Sequence, residues 1–80
     1  MRFFEYYIDS GDNNVFVIET DSNGRWLTAP GGAGGARVYS LNSHGRIGRL
    51  SWEIASRRLR RAVKVSREEA FRVARFHRGR

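Results

Sequence analysis

The chain contains no cysteine, so neither a disulfide framework nor a thiolate metal site can be built from it. Two histidines, His44 and His77, are too few for a protein-only zinc site without carboxylates, so no metal and no cofactor are expected. Lysine is nearly missing as well: fourteen of the fifteen cations are arginine, and Lys64 is the exception. Arginine's planar fork suits bidentate contact with phosphate or carboxylate, although GC-rich coding DNA produces the same bias. No apolar run approaches the ~20 residues of a membrane-spanning helix. Glu5 and Asp9 break the apolar N-terminus where a secretory signal needs continuity. The default expectation is a soluble cytoplasmic protein with no membrane partner.

Acidic residues are scarce after position 24. Residues 1–24 carry Arg2 against five acids, a net of −4, whereas residues 25–80 carry fourteen cations against three acids, a net of +11. A one-sided positive field of this kind attracts polyanions and says little about fold. Eighty residues with 40% apolar content and ten aromatics can form one small core, which a homodimer would enlarge. The expected organisation is a single domain over 1–80, with a β-meander at 1–41 and a basic helical part at 46–80.

The first part reads as strands. Residues 2–8 are rich in aromatics, and Val15-Phe16-Val17-Ile18-Glu19-Thr20 is almost wholly β-branched or aromatic. Asn23-Gly24 precedes Arg25-Trp26-Leu27-Thr28 and is a type I′ hairpin signal, which predicts a third strand there. Residues 37–41 offer a fourth. On the first strand Phe4, Tyr6 and Ile8 share one face, while Phe3, Glu5, Tyr7 and Asp9 share the other. Covering of that second face by helices or a dimer mate competes with an exposed aromatic platform. Between strands, Pro30–Ala36 supplies a glycine-rich connecting loop. Its Gly31-Gly32-Ala33-Gly34 fits the GxxG of nucleic-acid-binding KH loops, but that loop lies between helices, and no Walker lysine follows here.

From Trp52 onward the period changes. Trp52, Ala55, Leu59, Ala62 and Val63 form one helical stripe, with Arg49, Glu53, Arg57, Arg60, Arg61 and Lys64 opposite. Alternation over residues 50–65 offers a competing strand pair, Leu50-Trp52-Ile54 and Leu59-Arg61-Val63-Val65, but it puts Arg61 among apolar neighbours and helix is favoured. Ser66-Arg67-Glu68-Glu69 is a capping box that opens a second helix ending near His77, Arg78 and Gly79. The pair differs from a helix-turn-helix, because Leu59 stands four residues after Ala55 and Arg60–Val63 prolongs the helix. The overall expectation is an α+β fold, with a meander of three to four strands and two C-terminal helices on one sheet face. Trp52, Leu59, Val63, Phe71 and Ala74 are expected to meet Phe4, Tyr6, Ile8, Phe16 and Ile18 in the core.

The candidate binding residues are Arg46, Arg49, Arg57, Arg58, Arg60, Arg61 and Lys64. Like charges at three- and four-residue spacing repel, and a phosphate backbone is the common counterion that offsets this. A nucleic-acid-binding domain, DNA or RNA, is therefore expected. The alternative is a small regulator or inhibitor of phage or mobile-element type that docks on an acidic protein or a ribonucleoprotein. No catalytic cluster is present, so an enzyme is not expected. The closest approach to one is a ribonuclease-type site in which His44 acts as general base beside Arg49.

Overall fold

Six consecutive buried residues, Val15–Thr20, mark the centre of the molecule. A strand buried on both sides requires that both faces of its sheet be covered. A computed structural model, which describes residues 1–31 and 34–76, shows how this is done. Five strands form one antiparallel sheet: β1 (Phe3–Asp9), β2 (Val15–Thr20), β3 (Val38–Leu41), β4 (Ile47–Arg49) and β5 (Ala62–Val65), in the order β4-β3-β2-β1-β5. Helix α1 (Trp52–Leu59) lies between β4 and β5, and α2 (Arg67–Phe76) follows β5. The protein is α+β, and both helices are C-terminal and pack on the sheet.

The helices divide between the two faces, where one shared face was expected. Val15, Val17, Tyr39 and Leu41 pack with Ala70 and Ala74 of α2, joined by Phe4, Tyr6, Ile8 and Phe71. On the opposite side Phe16, Ile18 and Val38 pack with Ala55 of α1, joined by Tyr7, Trp52 and Leu59. The cause is in β2 itself, whose alternate residues are apolar on both sides, so one helix cannot bury them all. Ala55 and Ala70 are fully buried, and their small side chains let each helix backbone approach the sheet closely. Four of the five expected helical core residues take their places, but Val63 is 58% exposed on β5.

Two strand assignments change. Residues 25–28 form only isolated bridges, Thr20 with Trp26 and Thr28 with Ala36, because β3 already occupies the outer edge of β2 from Val15 to Ile18. The preceding turn is not type I′: only Gly24 has positive φ, and the Asp21 carboxylate accepts from the backbone N–H groups of Asn23 and Arg25. The second change is at residues 62–65, expected as the end of a long helix. They form β5, paired with β1 from Tyr6↔Val65 to Asp9↔Ala62. Helix α1 therefore stops at Leu59, and Lys64 belongs to a strand.

Helix α2 begins as its sequence indicates. The Ser66 hydroxyl accepts the Glu69 N–H at 3.1 Å, although the Glu69 carboxylate turns outward to Arg72 rather than back to the cap. Residues 77–80, where the helix was expected to end at His77, Arg78 and Gly79, lie outside the described residues. In the glycine loop, Gly35 has φ +85° and the Trp52 ring sits 2.3 Å from where a Cβ would stand. Only glycine fits there, so this loop residue fixes the start of α1 against the sheet.

Candidate interface: paired and unpaired arginines

The acidic N-terminal strands fold against the basic C-terminal part, and their carboxylates consume a defined subset of its cations. Asp9 ends β1 with no exposed surface. Its Oδ1 accepts from the Gly11 N–H at 2.8 Å and from Arg61 Nε at 3.0 Å, while Oδ2 accepts from Arg58 Nε at 3.0 Å. Burial alone would raise this carboxyl's pKa, but the Gly11 N–H and the two guanidinium groups outweigh it and hold the pKa below the usual range. Asp12 adds a second partner for Arg58. The Ser10 hydroxyl donates to the Arg61 carbonyl, so the chain just after α1 is fastened to the β1–β2 turn. This clamp lies where α1 ends and the chain passes into β5.

A second carboxylate organises the same face. Glu5 accepts from the Tyr7 hydroxyl at 2.8 Å, from Trp26 Nε1 at 3.0 Å and from Lys64 Nζ at 3.4 Å. Burial works to raise its pKa, and these donors together lower it. Tyr7 is pushed up to about 12 by burial and by its bond to Glu5. Tyr7 meets Trp26 edge-on, and Trp26 meets Trp52 in the same manner. Of the two aromatics on this face of β1, Tyr7 is covered on the α1 side, in line with the favoured reading, while Phe3 stays 39% exposed. On the α2 side Glu19 is held low by Arg2, with Tyr39 and Arg37 contributing.

The seven predicted binding cations separate into two groups. Arg58, Arg61 and Lys64 are paired with Asp9, Asp12 and Glu5. Arg46, Arg49, Arg57 and Arg60 are exposed and have no ion-pair partner among the described residues. Arg57 lies in the last turn of α1 and Arg60 is its C-cap, so they are neighbours on one ridge, roughly 5–6 Å apart at Cβ by helix geometry. Arg46 precedes β4 and Arg49 ends it at the sheet edge, and of the ridge expected from Arg57, Arg60, Arg61 and Lys64 only Arg57 and Arg60 remain unpaired side by side. Arg67 and Arg75 of α2 are also exposed without a carboxylate partner among the described residues. Neither was among the seven expected binding residues.

His44 sits in the β3–β4 turn, where the Asn42 carboxamide oxygen accepts the N–H groups of His44 and Arg46. It borders a cavity of about 290 Å³ with Ser43, Gly45, Phe71 and Arg75. Its cationic neighbour across that cavity is Arg75, where Arg49 was expected. Acid–base hydrolysis of a phosphodiester uses a base and an acid, and this cavity's lining provides one imidazole. No three His, Asp or Glu side chains gather as a metal-ligand group among the described residues. No described helix is long and apolar enough to cross a membrane. Comparisons with known protein families, curated proteins and solved structures return no match for this chain.

Proposed function

We propose that this protein binds nucleic acid through its phosphate backbone, with Arg46, Arg49, Arg57 and Arg60 as the contacting residues. The observation that carries the reading is the surplus left after internal pairing. Seven described cations lack a carboxylate partner (Arg25, Arg46, Arg49, Arg57, Arg60, Arg67 and Arg75), against three described acids without a cation (Asp21, Glu53 and Glu68). Adjacent arginines such as Arg57 and Arg60 repel, and a phosphate between them relieves that repulsion and releases condensed counterions. Contacts of this type position a protein on a strand and do not read its bases. Little sequence preference is expected. Four phosphate contacts imply a log–log salt slope of roughly −3 to −4 on duplex DNA. Titrating a labelled duplex and a single-stranded RNA from about 50 to 200 mM salt tests this. A slope near zero, or no binding at low salt, removes the proposal.

A second reading, a small regulator docking on an acidic protein or ribonucleoprotein, draws on one feature of α1. Ile54 is 63% exposed, one helical turn before Arg57. Phosphate offers nothing to an isoleucine, whereas a protein surface does. Capture from nuclease-treated lysate separates the two: a partner retained after nuclease favours the protein reading, and one lost with the nucleic acid favours the first.

A further inference from the structure

We infer that the open end of strand β1 is a docking edge for an extended acidic peptide segment. Strand β5 pairs with β1 only from Tyr6 to Asp9. Phe3, Phe4 and Glu5 pair with β2 on their inner side and have no strand on the outer one among the described residues. At Val65 the chain turns away into α2, so the position a strand would occupy beside Phe3–Glu5 is left as a groove. Its volume is about 470 Å³, and Arg2, Phe3, Phe4, Lys64, Val65 and Arg67 line it with Glu5 and Tyr6. An unpaired strand edge is the template to which extended peptides add by main-chain hydrogen bonds.

The lining selects the occupant. Arg2 and Phe4 lie on the α2 side of β1, and Arg67 opens α2 on that same side with its guanidinium 4.4 Å from the Phe71 ring centroid. Arg67 has no carboxylate partner among the described residues. A peptide side chain opposite Phe4 therefore lies near the Arg67 guanidinium over an apolar floor, with Arg2 already paired to Glu19, and this suits glutamate or aspartate. Side chains of the adjacent peptide residues fall on the other face, beside Phe3, which is 39% exposed, and there apolar or threonine residues fit. Glu5 does not repel the ligand strongly, since Tyr7, Trp26 and Lys64 already satisfy its carboxylate. The chain's net charge of +7 favours approach of an acidic segment over a basic one. This site uses none of the four arginines assigned to phosphate contact, so either assignment can fail alone.

The test is an amide-shift titration of the ¹⁵N-labelled protein with a capped octapeptide in which glutamate alternates with threonine and valine. The expected result is saturable shifts centred on Phe3–Glu5. Affinity should fall roughly tenfold or more when alternate peptide nitrogens are methylated, since that removes the main-chain donors. Replacing the peptide's glutamates by lysine should abolish binding, and Arg67→Glu, at an exposed site with no carboxylate partner among the described residues, should weaken it while leaving the spectrum folded. Equal binding of the methylated peptide, shifts confined to α1, or no binding would overturn the inference. It is equally overturned if a short oligonucleotide perturbs the same amides more strongly than the peptide, or if the groove is already closed by a second copy in a stable dimer.

Discussion

The two faces of the sheet are held by different forces. Under α2 the contacts are apolar: Ala70 and Ala74 lie against Val15, Val17, Tyr39 and Leu41, with Tyr6 meeting Phe71 edge-on at 6.0 Å between centroids. Under α1 an apolar patch around Ala55 is framed by polar fastenings: the Asp9 clamp on Arg58 and Arg61, and Glu5 with Tyr7, Trp26 and Lys64. No ion pair joins α2 to the sheet among the described residues, since the α2 pair Arg72–Glu69 is internal to the helix. Apolar packing is indifferent to pH, whereas carboxylate clamps are not. The α1 face, with Asp9 and Glu5 against Glu19 alone on the α2 side, is thus the more sensitive of the two to acid.

The most damaging single change is expected at Gly35, which holds α1's first residue. Gly35→Ala combines positive φ with a clash into Trp52, together roughly 2–4 kcal/mol. Denaturant unfolding checks it, and a loss below about 1 kcal/mol would mean that Trp52 moves aside readily. Next is Asp9→Asn, which leaves Arg58 and Arg61 without their buried partner. Those arginines are part-exposed, at 30% and 60%, so solvent softens the loss. About 1–3 kcal/mol is expected, with Trp fluorescence disturbed more than signals from the α2 face. Trp52 opens α1 and Trp26 packs edge-on against it on the same side of the sheet, so fluorescence reports that face.

Acid should separate the faces further. Asp9 and Glu5 on the α1 side, and Glu19 alone on the α2 side, have folded-state pKa values below their ordinary ones, so acid acts on two carboxylates of one face and one of the other. Their stabilisation is complete above the unfolded carboxylate range near ~4 and is lost as pH falls through the lower folded values. Tyr7 works in the opposite direction. Its folded value of about 12 lies above the ordinary 10.0, so its stabilisation is complete below 10.0 and is lost as pH rises toward 12. Fluorescence change below about pH 4 that precedes loss of helical circular dichroism would sharpen the distinction between faces, and coincident transitions would erase it. The smallest effect is expected for Lys64→Ala: its 3.4 Å pair with Glu5 is on the surface, and its removal should shift unfolding by less than ~0.5 kcal/mol.

Much of the α+β architecture was readable from local pattern. The aromatic alternation of residues 3–9, the β-branched run at 15–20 and the Ser66 capping box each encode their element within a few residues. The boundary at Leu59 was not readable in this way. Residues 52–64 are good helix material with a continuous apolar stripe, and the strand at 62–65 begins where Asp9 and Ser10, about fifty positions earlier, hold Arg58 and Arg61. The same long-range pairing hid which arginines remain available. In sequence the acids and the cations look segregated, yet folding lays one segment on the other, and Arg58 and Arg57 acquire opposite fates although they are adjacent. The split of the helices between faces was foreshadowed only by the apolar character of β2 on both sides.

That division between spent and unspent arginines can be measured directly by comparing salt slopes for duplex binding. The double variant Arg57→Ala/Arg60→Ala should flatten the slope by about 2 relative to the parent chain, with unfolding stability nearly unchanged. Arg61→Ala should do the reverse, lowering stability while leaving the slope close to that of the parent. Equal slopes for the parent and the double variant, or a larger change in slope on losing Arg61, would contradict the assignment of the outward arginines to phosphate.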